Sequence, residues 1–463
     1  MLTSVASLMV TLDLLVVATA LTTIQRDLHA SLEQLEWTVN AYALSFAALL
    51  MTAAALGDRL GRRRIFTAGL ALFGVASIAC ALAPNVGTLV AARALQGIGA
   101  ATVMPLAMAL LSAAFPPERR GRALGIFSGV TGLAVLGGPL VGGAVTEGLA
   151  WQWIFWINVP IAVVIMLVVP RRLPESTGPA ARVDVVGLLL QCAGAFALVL
   201  GLIRGNNAGW GSGEVITTLA LGLLVLAAFV GWEARAKEPM LPIRLFANRR
   251  FTAGNLAGFL LYAALFSEVF FIAQFLQITM GYGPLGAGLR VVPWTAALFI
   301  VAPVAGALSD RIGEGTLLAG GLGLQAVGMA WISLINGPDL AYGSLIVPLV
   351  IAGIGVSAAI PAAQKAVLGS VPPAAIGKAS GTFNTLRQLG GAVGVAVLGA
   401  VFAGAGGYGS AAEFSAGFGP AIGVAAALSL CGALAGCFAV TPRKGAQDGQ
   451  RVHHPLQDTA RRG

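Results

Sequence analysis

Four ionisable residues interrupt otherwise apolar stretches of the chain: Asp13, Arg93, Glu268 and Arg387. A charge inside a bilayer is expensive, so each is expected to face a partner or a wet cavity. Asp13 and Arg93 have the residue types and depths for proton chemistry. By helix rise, Asp13 lies about 13 Å from one end of its run and Arg93 about 9 Å from the opposite end of its own. Across a core of about 30 Å their depths differ by less than about 10 Å, within reach of an arginine side chain and a water. A carboxylate beside a guanidinium that can move loads a proton when the arginine withdraws and releases it on its return. A static ion pair is the alternative. Glu268, with Tyr262, Phe266, Phe270, Phe271 and Phe275 around it in sequence, suits a pocket for cationic, hydrophobic molecules if it faces a cavity. A locally hydrogen-bonded glutamate is the alternative there.

These residues need long apolar elements to hold them. Of 463 residues, 57% are hydrophobic and 10% charged, where a soluble domain carries about 25% charge. Mean hydropathy is +0.86. The composition excludes an ordinary soluble enzyme. The apolar runs are continuous rather than alternating, which excludes a barrel. Fourteen of them can be placed between residues 4 and 440, each near the roughly 20 residues that a spanning helix needs. The first, at 4–25, contains Asp13 and lacks a basic leader, so it reads as a span and not a signal peptide. The stretches 204–213 and 336–339 read as turns, and the polar tail from Arg443 as disordered. Cys80, Cys192, Cys431 and Cys437 show no disulfide or zinc spacing. No metal site is expected, the tail pair His453-His454 included. No phosphate-binding loop of the GxxxxGK[ST] type occurs, so ATP is not the expected energy source.

The net charge of +9 is distributed as a topology signal, not as a nucleic-acid surface. Arg59, Arg62, Arg63 and Arg64, then Arg119, Arg120 and Arg122, then Arg171, Arg172 and Arg182, then Arg235 to Arg250 fall in alternate connections. The other connections hold Asp27, Glu33, Glu36, Glu147, Glu214, Asp339 and Glu413, with almost only Arg26 and Arg204 against them. The positive-inside rule makes the first set cytoplasmic and puts both termini there.

An internal repeat organises the chain. Gly97-Ile98-Gly99 with Pro105 recurs 256 positions on as Gly353-Ile354-Gly355 with Pro361. Gly121-Arg122-Ala123 recurs at the same offset as Gly377-Lys378-Ala379, and Asp58-Arg59-Leu60-Gly61 recurs 252 positions on as Asp310-Arg311-Ile312-Gly313. Both copies have the same sidedness, so the repeat is parallel. Six spans and their loops are shorter than the offset, and the surplus fits two further spans at 185–203 and 214–232. The expected plan is an N-terminal six-helix bundle (1–171), a linker with two additional helices (172–250), a C-terminal six-helix bundle (251–440) and a tail (441–463).

The motifs add a resemblance over about residues 10–440. Gly57-Asp58-Arg59-Leu60-Gly61-Arg62-Arg63-Arg64 resembles the signature loop of the major facilitator superfamily. Arg93 to Gly99 resembles its span-4 arginine motif, and Gly132 with Gly138-Pro139-Leu140-Val141-Gly142-Gly143 is similar to its antiporter motif. Leu12-Asp13, Asn158-Val159-Pro160 and Asn384 to Gly391 are similar to the fourteen-span drug:proton antiporters of the EmrB/QacA type. The chain departs from that pattern at Leu15, Ala18, Thr22 and Gln152. The resemblance implies an all-α integral membrane protein of fourteen helices in a bacterial plasma membrane. It would export hydrophobic small molecules, cationic ones among them, by alternating access, with the proton gradient as energy source and no cofactor. A solute:proton symporter and a non-transporting membrane protein are the alternatives. Asp13 and Arg93 would couple protons. Gly57, Asp58, Arg59, Gly61, Arg62, Arg122, Asp310 and Arg311 would form a conformational latch, because a carboxylate at a helix end beside arginines holds one arrangement. Gly132, Gly138, Pro139, Gly142 and Gly143 would let helices approach closely. Glu268, Gln274, Asn384 and Arg387 are the candidates for substrate contact.

Overall fold

The computed structural model describes residues 1–115, 117–178, 184–237, 239–372 and 375–439; the side chains of 117–125, 128–129, 132, 135–136, 298–299, 302–303, 306–307 and 310 lie outside that set. The described residues are helical almost throughout. The helices are α1 (Leu2–Leu28), α2 (Leu32–Leu60), α3 (Arg62–Ala81), α4 (Val86–Ala114), α5 (Pro117–Gly148), α6 (Trp153–Trp156), α7 (Asn158–Arg172), α8 (Val185–Ala208) and α9 (Gly213–Glu233). They continue as α10 (Arg249–Ile278), α11 (Pro284–Ile312), α12 (Glu314–Ile335), α13 (Tyr342–Leu368), α14 (Ile376–Ala405) and α15 (Ala411–Phe438). With α6 and α7 counted as one segment, twelve are long and apolar enough to cross a bilayer among the described residues. The long helices α5 and α11, of 32 and 29 residues, carry side chains outside that set.

Local sequence sets the helix ends. Ser31 accepts from the Gln34 amide while the Gln34 side chain accepts from the Ser31 amide, a capping box that starts α2 five residues before the apolar run begins. Asn85, Asp184, Ser212, Asn248 and Ser410 cap α4, α8, α9, α10 and α15 one way, each side chain accepting from a backbone amide of the first turn. Gly61 and Gly313, the last residues of the repeated Asp-Arg-x-Gly, have φ of 111° and 90°. Each turns the chain directly from one helix into the next, in a backbone region that favours glycine. The expected basic loop is therefore one residue long. Asp58 and Arg59 end α2, and Arg62 to Arg64 begin α3.

Helices α1–α7 form one bundle and α10–α15 the other, joined along α2–α14 and α5–α11. The repeat is a packing repeat. A Cβ at Gly97 would strike the Tyr42 carbonyl of α2, and one at Gly353 would strike the Trp294 carbonyl of α11. A Cβ at Gly99 would lie 2.8 Å from the Phe73 amide of α3, and one at Gly355 would lie 2.5 Å from the Gln325 amide of α12. In both halves the Gly-Ile-Gly helix is thus pinned between its two neighbours. Helix α8 contacts α9, α2 and α14, whereas the main partner of α9 is α8.

Two expectations change. The turn at 204–213 is confined to 209–212, because α8 continues to Ala208. Its polar end is satisfied laterally: Asn206 donates to the Ala400 carbonyl of α14, and Asn207 donates to Glu33 of α2 at 3.0 Å. Glu36, read as a charge in a connection, lies in α2 and is 2% exposed. The tail at 441–463, with its two histidines, and Arg182 lie outside the described residues.

Candidate functional site

Helix α1 carries Asp13 into the middle of the N-terminal bundle, where it is 1% exposed. Arg93 and Gln96 lie one turn apart on α4 and reach it together. Arg93 Nη1 donates to Asp13 Oδ2 at 2.6 Å, and Gln96 Nε2 donates to Asp13 Oδ1 at 2.9 Å. Asn158, the first residue of α7, donates to the same Oδ1 at 2.8 Å. Arg93 is fixed in turn. Its Nε donates to the Thr38 carbonyl of α2 at 3.1 Å, its Nη1 also donates to Gln96 Oε1 at 2.7 Å, and its guanidinium lies 4.2 Å from the Tyr42 ring centroid. Gln96 Nε2 further donates to Ser77 of α3 at 2.9 Å. Five helices thus converge on one carboxylate. Arg93 Nη2 and Asn158 Oδ1 have no hydrogen-bond partner among the described residues. A buried ion pair of this kind costs about 3–5 kcal/mol to break from one side, because a lone charge is left behind.

The structure brings Asp13 and Arg93 into contact, and it adds Gln96, Asn158, Ser77, Thr38 and Tyr42 to them. Gln96 lies at i+3 from Arg93, and that spacing was the available signal for it. Asn158 stands in a motif whose chemistry the sequence did not disclose.

In the C-terminal bundle Glu268 is wholly buried, and Gln325 Nε2 of α12 donates to its Oε1 at 2.8 Å. Glu268 Oε2 has no partner among the described residues. In this conformation the glutamate is enclosed by its own bundle and is not brought to Asp13. Gln274 is also buried, accepting from the Tyr408 hydroxyl at 2.5 Å and donating to the Phe270 carbonyl at 2.8 Å. Asn384 donates to the Ser380 carbonyl one turn back at 2.9 Å. Arg387 lies 5.1 Å from the Tyr262 ring centroid, and its Nε has no hydrogen-bond partner among the described residues.

The candidate latch residues lie beside an acid that the sequence did not point to, Glu175, whose basic partners are the neighbouring Arg63 and Arg64. Arg62 Nε donates to Asp58 Oδ1 at 2.7 Å. Glu175, in the strand of chain leaving α7, accepts from the Arg63 amide at 2.8 Å and lies 3.7 and 3.8 Å from the Arg63 and Arg64 guanidinia. The Gly178 amide donates to the Asp58 carbonyl at 3.0 Å. Gly57 leaves room for Leu106 of α4, and Arg59 and Arg311 are exposed. The side chains of Arg122 and Asp310, and position 132, lie outside the described set. The remaining glycine-proline motif has two faces. A Cβ at Gly138 would lie 2.6 Å from Leu15 Cβ, and one at Gly142 would lie 2.8 Å from the Val16 carbonyl, both on α1. Gly143 meets Pro284 and Leu285 of α11, and Pro139 meets Gly288 of α11. One segment therefore packs α5 against both its own bundle and the other.

Between the bundles the described polar contacts gather at the end opposite Arg59. Thr22 donates to Gln277 of α10, Gln277 donates to the Thr19 carbonyl at 3.1 Å, and the Leu285 amide donates to Glu147 at 2.9 Å. Below them lies an apolar void of about 10 Å³ bordered by Thr19, Pro139, Ile272, Ala273, Val291 and Trp294, room for one water at most.

Comparison with known proteins agrees with this architecture. The family model of the Major Facilitator Superfamily matches residues 3–395. The chain is 38% identical over 431 residues to the cephamycin export protein CmcT of Amycolatopsis lactamdurans, covering 91% of this chain and 88% of that one. It is 35% identical over 403 residues to the tetracenomycin C resistance and export protein of Streptomyces glaucescens, covering 86% and 74%. It is 34% identical to the multidrug resistance protein Stp of Mycobacterium tuberculosis, covering 87% and 75%. Among solved structures, a POT family transporter in complex with a thioalcohol-conjugated peptide superposes with a TM-score of 0.72 at 14% identity, covering 94% of each chain. That likeness speaks for the fold alone. With the family model spanning most of the chain and such relatives aligned over more than four-fifths of it, the protein belongs to the major facilitator superfamily.

Proposed function

We propose that the protein is a proton-driven exporter of hydrophobic small molecules, of the antibiotic and drug class that its relatives are named for. It is a transporter and not an enzyme. The observation that carries the proton coupling is the Asp13 carboxylate, 1% exposed and held by Arg93, Gln96 and Asn158. Its ionised form is stable only while Arg93 stays, so a shift of α4 against α1 exchanges a guanidinium for a proton. The fourteen long helical segments support the fourteen-span arrangement, with α8 and α9 as the inserted pair. The charge distribution supports a cytoplasmic position for the Arg59 end and both termini. The polar contacts at the opposite end then support an inward-facing or occluded state. Gly138 to Gly143, packed on α1 and α11 together, support a seal that rocks without opening a leak.

Everted membrane vesicles with an imposed pH gradient test the reading. A panel of hydrophobic antibiotics should include compounds whose addition dissipates the gradient and that accumulate inside. Accumulation that ignores the gradient would overturn proton coupling.

A further inference from the structure

Glu36 is a buried acid that the Asp13 network does not use. It is 2% exposed, and among the described residues no basic group lies within ion-pairing distance. It sits on the α2–α14 seam, where the two bundles meet. A Cβ at Gly399 of α14 would overlap its carboxylate, so the glycine is the cradle into which that carboxylate fits. The register of the seam follows from its two contacts, Glu36 with Gly399 and Met51 with Gly381. Asn40, one turn below Glu36, falls on the same face of α2, and Gln388 and Thr385 fall on the α14 face between Gly399 and Gly381. Asn40 and Gln388 lack partners for both side-chain polar atoms, and Thr385 lacks one for its hydroxyl, among the described residues. Four buried polar side chains thus line a contact that rocking must open, and the outermost is an acid.

We propose that Glu36 is a second proton-binding site, at the mouth of a polar file along the α2–α14 seam, and that the seam closes only over its neutral form. The inference rests on the proton-driven, alternating-access reading. An ionised carboxylate 2% exposed and pressed against a glycine has little water and, among the described residues, no counter-ion. Open to solvent, it has water. Among the described residues no cation pairs with it. Glu33 is the charged group acting on it from α2 and is itself held by Asn207 and Arg204 of α8. Tyr408, beyond α14, faces it and is bonded to Gln274 of α10. Arg93 of α4 is committed to Asp13, Arg387 of α14 stacks on Tyr262 of α10, and Glu413 lies against the turn before α15. Glu268 is equally buried but within one bundle, so rocking does not expose it.

The test is a spin-label distance across the seam end, between Asp27→Cys on α1 and Ala405→Cys on α14, in lipid nanodiscs over a pH series. The distance should shorten as pH falls, and should still do so with Asp13→Asn. Glu36→Gln should remove the pH dependence and hold the short distance throughout, while Glu36→Asp should keep the dependence. Gly399→Ala should hold the long distance at every pH, which gives an independent readout if Glu36→Gln does not fold. A pH-independent distance in the unmodified protein, or an unchanged titration in Glu36→Gln or Gly399→Ala, would overturn the site. Vesicle transport without proton coupling, beside a distance that still titrates, would instead overturn the functional reading and leave the site standing.

Discussion

The two halves of the molecule share a backbone plan and differ in what they do with a buried acid. In the N-terminal half, Asp13 receives donors from Arg93, Gln96 and Asn158. In the C-terminal half, Glu268 receives one, from Gln325. The repeat offset of 256 positions carries Arg93 onto Leu349 and Gln96 onto Ala352, which are 1% and 0% exposed. The glycines that set the helix spacing persist in both copies. The polar side chains that make a charge bearable do not. Duplication has kept the packing code and left the charged cluster to one bundle.

The sharpest way to break this comparison is to make the N-terminal half resemble the other. Arg93→Leu should destabilise the protein by about 3–5 kcal/mol, since Asp13 is left buried without its counter-charge, and should abolish uphill export. Denaturation in detergent and vesicle efflux measure the two effects, and near-normal stability would mean that water or another donor replaces the guanidinium. Asp13→Asn should lose stability too, because Arg93 is left without its counter-charge, but with Gln96 still donating to it the protein should fold and bind substrate, yet lose proton-coupled export. Uphill export at the unmodified rate would make Asp13 structural.

Next in size is the shared packing. Gly99→Ala and Gly355→Ala each force a Cβ against the neighbouring helix backbone and should cost about 1–3 kcal/mol apiece, with similar magnitudes in the two halves. A large difference between them in thermal melting would show that the repeat is not mechanically equivalent. The smallest effect is expected for Glu268→Gln. The new amide can donate to Gln325 Oε1, which has no partner among the described residues, so stability should change by less than about 1 kcal/mol. Export of one cationic and one neutral compound should be unaffected, and a selective loss of the cationic one would make Glu268 a charge selector.

The repeat and the all-helical plan could be read because both are carried by backbone-level features: glycines that must stay small and runs that must stay apolar. Asp13 and Arg93 could be paired from depth alone. Gln96, Asn158 and Ser77 could not, since a neutral polar residue leaves little trace in an apolar run and its direction depends on helix rotation. Glu36 was missed for a different reason. The apolar run begins at Trp37, and the capping box at Ser31 extends α2 beyond it, taking an acid from a connection into a seam. Glu175 was hidden because its partners are brought to it by the fold and not by sequence spacing.

Helix α8 is a splint across a joint. Its Gln191 donates to the Ala47 carbonyl of α2 at 3.5 Å, its Asn207 donates to Glu33 of α2, and its Asn206 donates to the Ala400 carbonyl of α14. The last two grip opposite sides of the joint within one turn of each other. Separation of α2 from α14 at that end must therefore tear one grip before it can proceed. The α8–α9 hairpin thereby ties the two bundles together at that end, through a helix that belongs to neither.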